Sequence, residues 1–296
     1  MFGRIDVVLT AKFDERAWSA IAAASSGGRL HLAWAGQDAL IRLASSEDGF
    51  TFSAPAHLEY KSVGDVPETA RKARMGGHGG LAPMRPGLAP SAKGVDLALR
   101  PLKGRITVLR ATGLWFRWDE IETGGRTAGS PSLAPLGDEV ILAWTGSDGH
   151  LNLATSRGRV FGEPLRLDYT SRLSPALSTF GSRMALAWTG TDMHLNLAVG
   201  PIAPGVFSSE WKLEETSHES PAVCAMARMN AIAWVGTDDH LNVAFTDAGA
   251  VRTSLRLDER TFYEPALVSH AGALFLVWTG TKGEIGIVQL RAPAAG

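Results

Sequence analysis

A single cysteine, Cys224, stands in the whole 296-residue chain, which excludes a disulfide framework and a cysteine-rich metal site. Charge of one sign is lacking too. The formal net charge is −1, so no global field draws the chain to nucleic acid or to an anionic membrane, and neither is expected as a partner. Long apolar runs are absent, and none could span a bilayer as a helix. The opening MFGRIDVVLTAKFDER has no apolar stretch between a basic start and a small-residue cleavage site, so no secretory signal is expected. A cytoplasmic protein is the default, with export by routes that leave no such mark still open. Tyrosine is scarce at 3 residues, whereas glycine reaches 33 and proline 15, a balance that points to many turns. Apolar residues make up 45% of the chain, enough for a packed core.

What the chain does have is a repeat. Trp144, Trp188, Trp234 and Trp278 are spaced 44, 46 and 44 residues apart, and each follows a proline by 13 residues: Pro131, Pro175, Pro221 and Pro265. Trp34 opens the same pattern, 110 residues before Trp144. The gap is filled by GVDLALRPLKGRITVLRA, with Leu99 in the tryptophan position and Pro86 thirteen residues before it. Six repeats result, and each shows four short strand patterns punctuated by Gly, Asp, Ser and Pro. A period near 45 with four strands per unit predicts an all-β fold, one β-propeller of six four-stranded blades over residues 1–296. Five blades is the alternative if the Leu99 repeat is something else. The last repeat stops after its third strand, EIGIVQL, and KFDER at 12–16 matches RLDER at 256–260. Residues 5–14 are therefore expected to complete the last blade and close the ring, which removes an unpaired edge.

SSEDGFTF at 45–52 resembles a shortened Asp-box, the Ser-x-Asp-x-Gly-x-Thr-Trp turn of sialidase-like propellers. It departs by one residue in spacing and by Phe52 for Trp, and only this repeat carries it. The AWTGSDGHLN, AWTGTDMHLN and AWVGTDDHLN repeats also resemble those of bacterial propellers grouped with lectin-like and sialidase-like folds. The resemblance covers nearly the whole chain at the level of fold. It implies a carbohydrate-binding or sialidase-like use of the ring face that carries these turns.

In a four-stranded meander the second-to-third and fourth-to-first connections emerge on one face. Two sets of candidates therefore ring one mouth. The first is the repeated turn, with Asp148, Asp192 and Asp238 and the histidines His150, His194 and His240. Its glycine suits a positive φ, and its Asp can bond amides of its own turn. His and Asn two apart share one side of the third strand. The turn is either a brick fastened by its own polar groups or a sugar site repeated for avidity. The three carboxylates sit on different blades and lack the dense oxygen spacing of a calcium loop, so no metal and no cofactor is expected.

The second set breaks the repeat. Before the aligned prolines stand Ser130, Ser174 and Ser220, but Arg85 and Glu264 replace serine in two blades, and Arg172, His218, Glu219, Phe262 and Tyr263 lie one or two residues further back. Together they could hold an acidic or polyhydroxy ligand. The longest departure is an insertion at about 61–85, in which Asp65 caps a short expected helix that ends at Gly76-Gly77 and shows Arg71, Lys72 and Arg74 over the same mouth.

Three functions follow. A lectin-like propeller that recognises a glycan at one face is the leading expectation. A channel-mouth, glycosidase-like enzyme is the alternative, with Glu264, Glu219, Tyr263, Arg85 and Arg172 supplying residue types suited to glycoside cleavage; the Arg-Ile-Pro start of sialidases is absent. A scaffold that docks an acidic protein partner on the basic insertion is the third.

Overall fold

The computed structural model describes residues 4–38, 40–61, 85–91, 94–100, 105–111, 118–127, 129–203, 205–227, 229–247 and 249–291. The expected insertion helix, with Arg71, Lys72 and Arg74, lies outside them. Among the described residues the strands form six antiparallel sheets, one per repeat. Blade 1 runs outward through Ala22–Ser26, Arg29–Ala35, Leu40–Ser46 and Ala56–Lys61. Blade 2, the Leu99 repeat, comprises Gly87–Ser91, Gly94–Leu99, Arg105–Ala111 and Trp118–Arg126. It is a full blade, so the ring has six blades rather than five. Blade 3 comprises Ser132–Leu136, Glu139–Thr145, His150–Arg157 and Leu165–Thr170, with a two-residue strand Val160–Phe161 in its last connection. Blades 4 and 5 follow as Ala176–Phe180, Arg183–Thr189, His194–Pro201 and Ser209–Thr216, then Ala222–Ala225, Asn230–Val235, His240–Asp247 and Ala250–Arg260.

Blade 6 takes three strands from the C-terminal side, Ala266–His270, Ala273–Thr279 and Glu284–Arg291. Its fourth is the N-terminal strand Asp6–Arg16, antiparallel to Glu284–Arg291. The expected closure is therefore present, and the strand runs to Arg16. Two bonds continue it across the seam: Ala17 N–H donates to Gly283 O at 2.8 Å and Thr279 Oγ1 to Ser19 O at 2.7 Å.

The core is divided among the interfaces between blades. Trp34 packs with Phe275 and Ile285 between blades 1 and 6. Trp144, Trp188, Trp234 and Trp278 each fill the same place against the preceding blade, and Leu99 does so between blades 1 and 2. All five tryptophans are at most 7% exposed. The repeat thus exists because five of the six sheets bury one flat indole on a neighbour, where aromatic area does most for stability. The six innermost strands surround a channel of about 360 Å³ lined mostly by Ala, Val, Leu, Pro and Ser.

The turn at 46–51 of blade 1 is built on Asp48. Its Oδ1 accepts from Phe50 N at 2.8 Å, Thr51 N at 2.7 Å and Ser46 Oγ at 2.7 Å, and its Oδ2 from Thr51 Oγ1 at 2.8 Å. These bonds, the two backbone amides first, hold the carboxyl far below the usual carboxylate range. The turn reaches blade 6: Phe50 lies on Phe275 with ring centroids 5.5 Å apart, and His270 Nε2–H donates to Glu47 O at 3.0 Å.

Candidate functional site

The repeated turns occupy one face, as the meander requires. In blade 4, Asp192 Oδ1 accepts the His194 amide at 3.2 Å, Asn196 Nδ2 donates to His194 O at 2.9 Å, and His194 Nδ1 bonds Leu213 O at 3.0 Å. A carbonyl only accepts, so Nδ1 carries the proton. The same three bonds recur around Asp148, His150 and Asn152 and around Asp238, His240 and Asn242. Each Asp also pairs with a cation of its blade's fourth strand: Arg166 with Asp148 at 2.9 Å, Lys212 with Asp192 at 2.6 Å, and Arg256 with Asp238 at 2.8 Å. That cation first, and the histidine amide besides, holds each carboxyl below its usual range.

One expectation needs correction. The glycine of the turn does not carry the positive φ; the residue after Asp does, with Gly149 at 80°, Met193 at 68° and Asp239 at 66°. Glycine is there for space. A Cβ on Gly190 would lie 2.7 Å from Asp192 Oδ1 and 2.9 Å from Asn196 Nδ2, and Gly146 and Gly236 are equally crowded.

The fourth-to-first connections share this face and are sewn to the turns. Thr145 Oγ1 donates to Leu173 O at 2.5 Å, and Thr189 Oγ1 to Glu219 O at 2.7 Å. Inside them the serines before the prolines form a girdle: Ser130 N–H donates to Ser174 Oγ at 2.7 Å, and Ser174 N–H to Ser220 Oγ at 3.0 Å. Ala20 holds that position in blade 1 and offers no side-chain oxygen. Its two neighbours in the ring are Arg85 and Glu264, and the structure brings them together. Arg85 Nε lies 3.3 Å from Glu264 Oε1, with side chains 8% and 10% exposed, and Arg85 Nη1 reaches Pro265 O at 3.5 Å. A long cation thus bridges the gap over the short alanine. Outside the pair, Arg172, His218 and Phe262 are exposed, and Glu219 and Tyr263 are half-buried. The half-buried Trp18, three residues before Ile21 in blade 1, joins this crest. It was visible as the counterpart of Arg172, His218 and Phe262 in the repeat.

The opposite face holds a cleft that the repeat pattern did not signal. It lies between blades 4 and 5, has a volume of about 450 Å³ and is lined by Ser208, Ser209, Arg183, Trp211, Asn230 and Asp247. Small-molecule sites run from about 300 to 1,000 Å³. Trp211, half-buried, leans on the next blade because Gly249 has no Cβ, which would come within 2.0 Å of the indole. Arg183 Nη1 donates to Ala227 O at 3.3 Å, which ties the rims of the cleft. Asn230 is 3% exposed, and its Oδ1 is buried with no hydrogen-bond partner among the described residues. A buried carbonyl oxygen of this kind wants a donor. The sequence signal was faint: Trp211 is one of few tryptophans outside the repeat register. Among the described residues, no group of three or more His, Cys, Asp or Glu is placed to hold a metal ion.

No protein-family model matches the chain, and no curated protein matches it. Solved structures match in fold. AofleA from Arthrobotrys oligospora has a TM-score of 0.67 at 9% identity, covering 99% of this chain and 91% of that one. The fucose-specific lectin from Aleuria aurantia has a TM-score of 0.65 at 10% identity, covering 94% and 96%. A subtype N10 neuraminidase-like protein of A/little yellow-shouldered bat/Guatemala has a TM-score of 0.56 at 9% identity, covering 96% and 99%. What the chain shares with them is the fold, a six-bladed β-propeller.

Proposed function

We propose that this protein is a carbohydrate-binding propeller that takes a glycan in the cleft between blades 4 and 5. A concave cleft that brings an indole, a guanidinium and a carboxylate together, those of Trp211, Arg183 and Asp247, carries the reading. A pyranose offers an apolar C–H face for Trp211 and hydroxyls for Arg183 and Asp247. The likeness to a fucose-specific lectin supports the class of ligand. The turn at 45–52 is, on the same reading, a shortened Asp-box that serves as a fold element; its support is the set of amides gathered on Asp48.

Binding to a broad glycan array tests this. Arg183→Ala and Asp247→Ala each remove a charged hydrogen-bonding group, worth about 1.5–3 kcal/mol, and should lower affinity by roughly tenfold or more. Asp192→Ala and Asp238→Ala, on the other face, should bind as the parent does. No binding anywhere on the array refutes the function. Loss confined to the Asp192 and Asp238 variants moves the site to the turn-bearing face.

A further inference from the structure

Two departures from the repeat meet at the seam between blades 6 and 1. One is His270, which ends the innermost strand of blade 6; the innermost strands of the other blades end on serine or on apolar residues. The other is the Asp48 turn, whose sequence occurs in blade 1 alone. His270 Nδ1 lies 3.0 Å from Ser25 Oγ of blade 1, and its Nε2–H donates at 3.0 Å to the carbonyl of Glu47, next to Asp48. A carbonyl only accepts, so the proton sits on Nε2 and Nδ1 presents a lone pair. The Ser25 hydroxyl therefore donates to Nδ1. Phe275 packs against the imidazole with ring centroids 5.9 Å apart, and His270 is 3% exposed. The base is held in one tautomer and one orientation.

Ser25 is half-buried and lines the central channel, whose volume of about 360 Å³ falls in the range of small-molecule sites. Other serines on that wall are engaged by the backbone. Ser132 Oγ accepts the Leu177 amide at 3.1 Å, and Ser178 Oγ accepts the Ala225 amide at 2.9 Å. Ser25 has a base instead, and the base has its own orienting group. Nucleophile, base and orienter joined in sequence by hydrogen bonds are the signature of an activated serine. Phe180 ends the innermost strand of blade 4 and lines the same channel, and it is 47% exposed. Blade 4 stands opposite blade 1 in a ring of six, so an apolar ring is available to a substrate that reaches Ser25.

We propose that Ser25 is the nucleophile of an acyl-transfer site, and that its substrates are small carboxylic esters that enter the channel. Ser25 Oγ bonds to the ester carbonyl carbon as its proton passes to His270 Nδ1. The ester C–O bond then breaks, and the leaving alkoxide takes that proton from Nδ1 and departs as the alcohol. Water next attacks the acyl-serine and gives a proton to Nδ1. The bond to Ser25 Oγ breaks, the carboxylic acid leaves, and the proton returns to the serine. While His270 is an imidazolium, its Nε2–H stays on the Glu47 carbonyl. The turn that Asp48 builds thus steadies the base through both halves of the reaction.

Labelling of the full chain with a fluorophosphonate, which phosphonylates activated serines, tests the proposal. Mass spectrometry of the digested protein should find the label on Ser25 and on neither Ser132 nor Ser178. With p-nitrophenyl acetate the chain should release a stoichiometric burst of p-nitrophenolate, which Ser25→Ala abolishes. His270→Gln keeps a donor for the Glu47 carbonyl and an acceptor for the Ser25 hydroxyl but cannot take up the proton. It should label roughly a hundredfold more slowly or less, with unchanged circular dichroism. A parent chain that takes no label on Ser25 overturns the proposal. So does a His270→Gln chain that labels as fast as the parent, or a burst that survives in Ser25→Ala.

Discussion

Replacing Glu264 by serine, the residue that three other blades use at this place, isolates the Arg85 ion pair. Glu264→Ser leaves a guanidinium that is 8% exposed without its counter-charge. Losing one partner of a buried pair costs about 3–5 kcal/mol. The Pro265 carbonyl at 3.5 Å is a weak substitute, so the lower end applies. Unfolding entropy is about 2.1 cal/mol/K per residue, which for 296 residues comes to roughly 0.6 kcal/mol/K. A loss of 3 kcal/mol therefore lowers Tm by about 5 °C. The double variant Arg85→Ser with Glu264→Ser removes both charges and restores the repeat's own residue, so it should lie within about 1 kcal/mol of the parent, as replaced buried pairs often do. Calorimetry gives Tm, and urea midpoints followed by tryptophan fluorescence give the free energies. If Glu264→Ser melts within 1 °C of the parent, or the double variant is no more stable than the single, the pair does not bridge the gap at Ala20 as argued.

Gly190→Ala tests whether the turn glycine is chosen for space. Its Cβ would push aside Asp192 Oδ1 and Asn196 Nδ2, with an expected cost of about 2 kcal/mol for two lost hydrogen bonds; a melting temperature equal to the parent's speaks against crowding. Asp48→Asn tests the carboxylate under the blade 1 turn. Because the folded carboxyl is held below its usual range, its stabilisation is fully present above the ordinary carboxylate pKa and fades as pH falls toward the folded value. The variant should be less stable than the parent at neutral pH, and urea midpoints should converge as the pH drops. A gap that stays constant from neutral to acid pH would mean that the charge is not the cause.

The ring itself was legible because it is written many times. A tryptophan that recurs at a near-constant period, each thirteen residues after a proline, can only be a repeated packing position. Leu99 was recognisable as its degenerate copy, and the KFDER and RLDER match located the closing strand. Arg85 and Glu264 stood out for the converse reason, as departures from a serine pattern. Their meeting was not legible. It depends on the ring bringing blade 6 next to blade 1, so that residues 179 positions apart in the chain flank the small Ala20.

The turn motif shows where sequence reasoning stops. Asp, His and Asn in AWTGTDMHLN are residue types of binding sites, and only coordinates reveal that each bonds the backbone or a cation of its own blade. Trp211, Arg183, Asn230 and Asp247 lie on two blades at different points of their repeats, so no periodicity links them, and the cleft they share exists only once neighbouring sheets pack. Local pattern determines which strands form and how many blades they make, because hydrophobic alternation and turn chemistry act over a few residues. Which side chains meet between blades is decided by the closure of the ring, a long-range constraint that no single stretch of sequence contains.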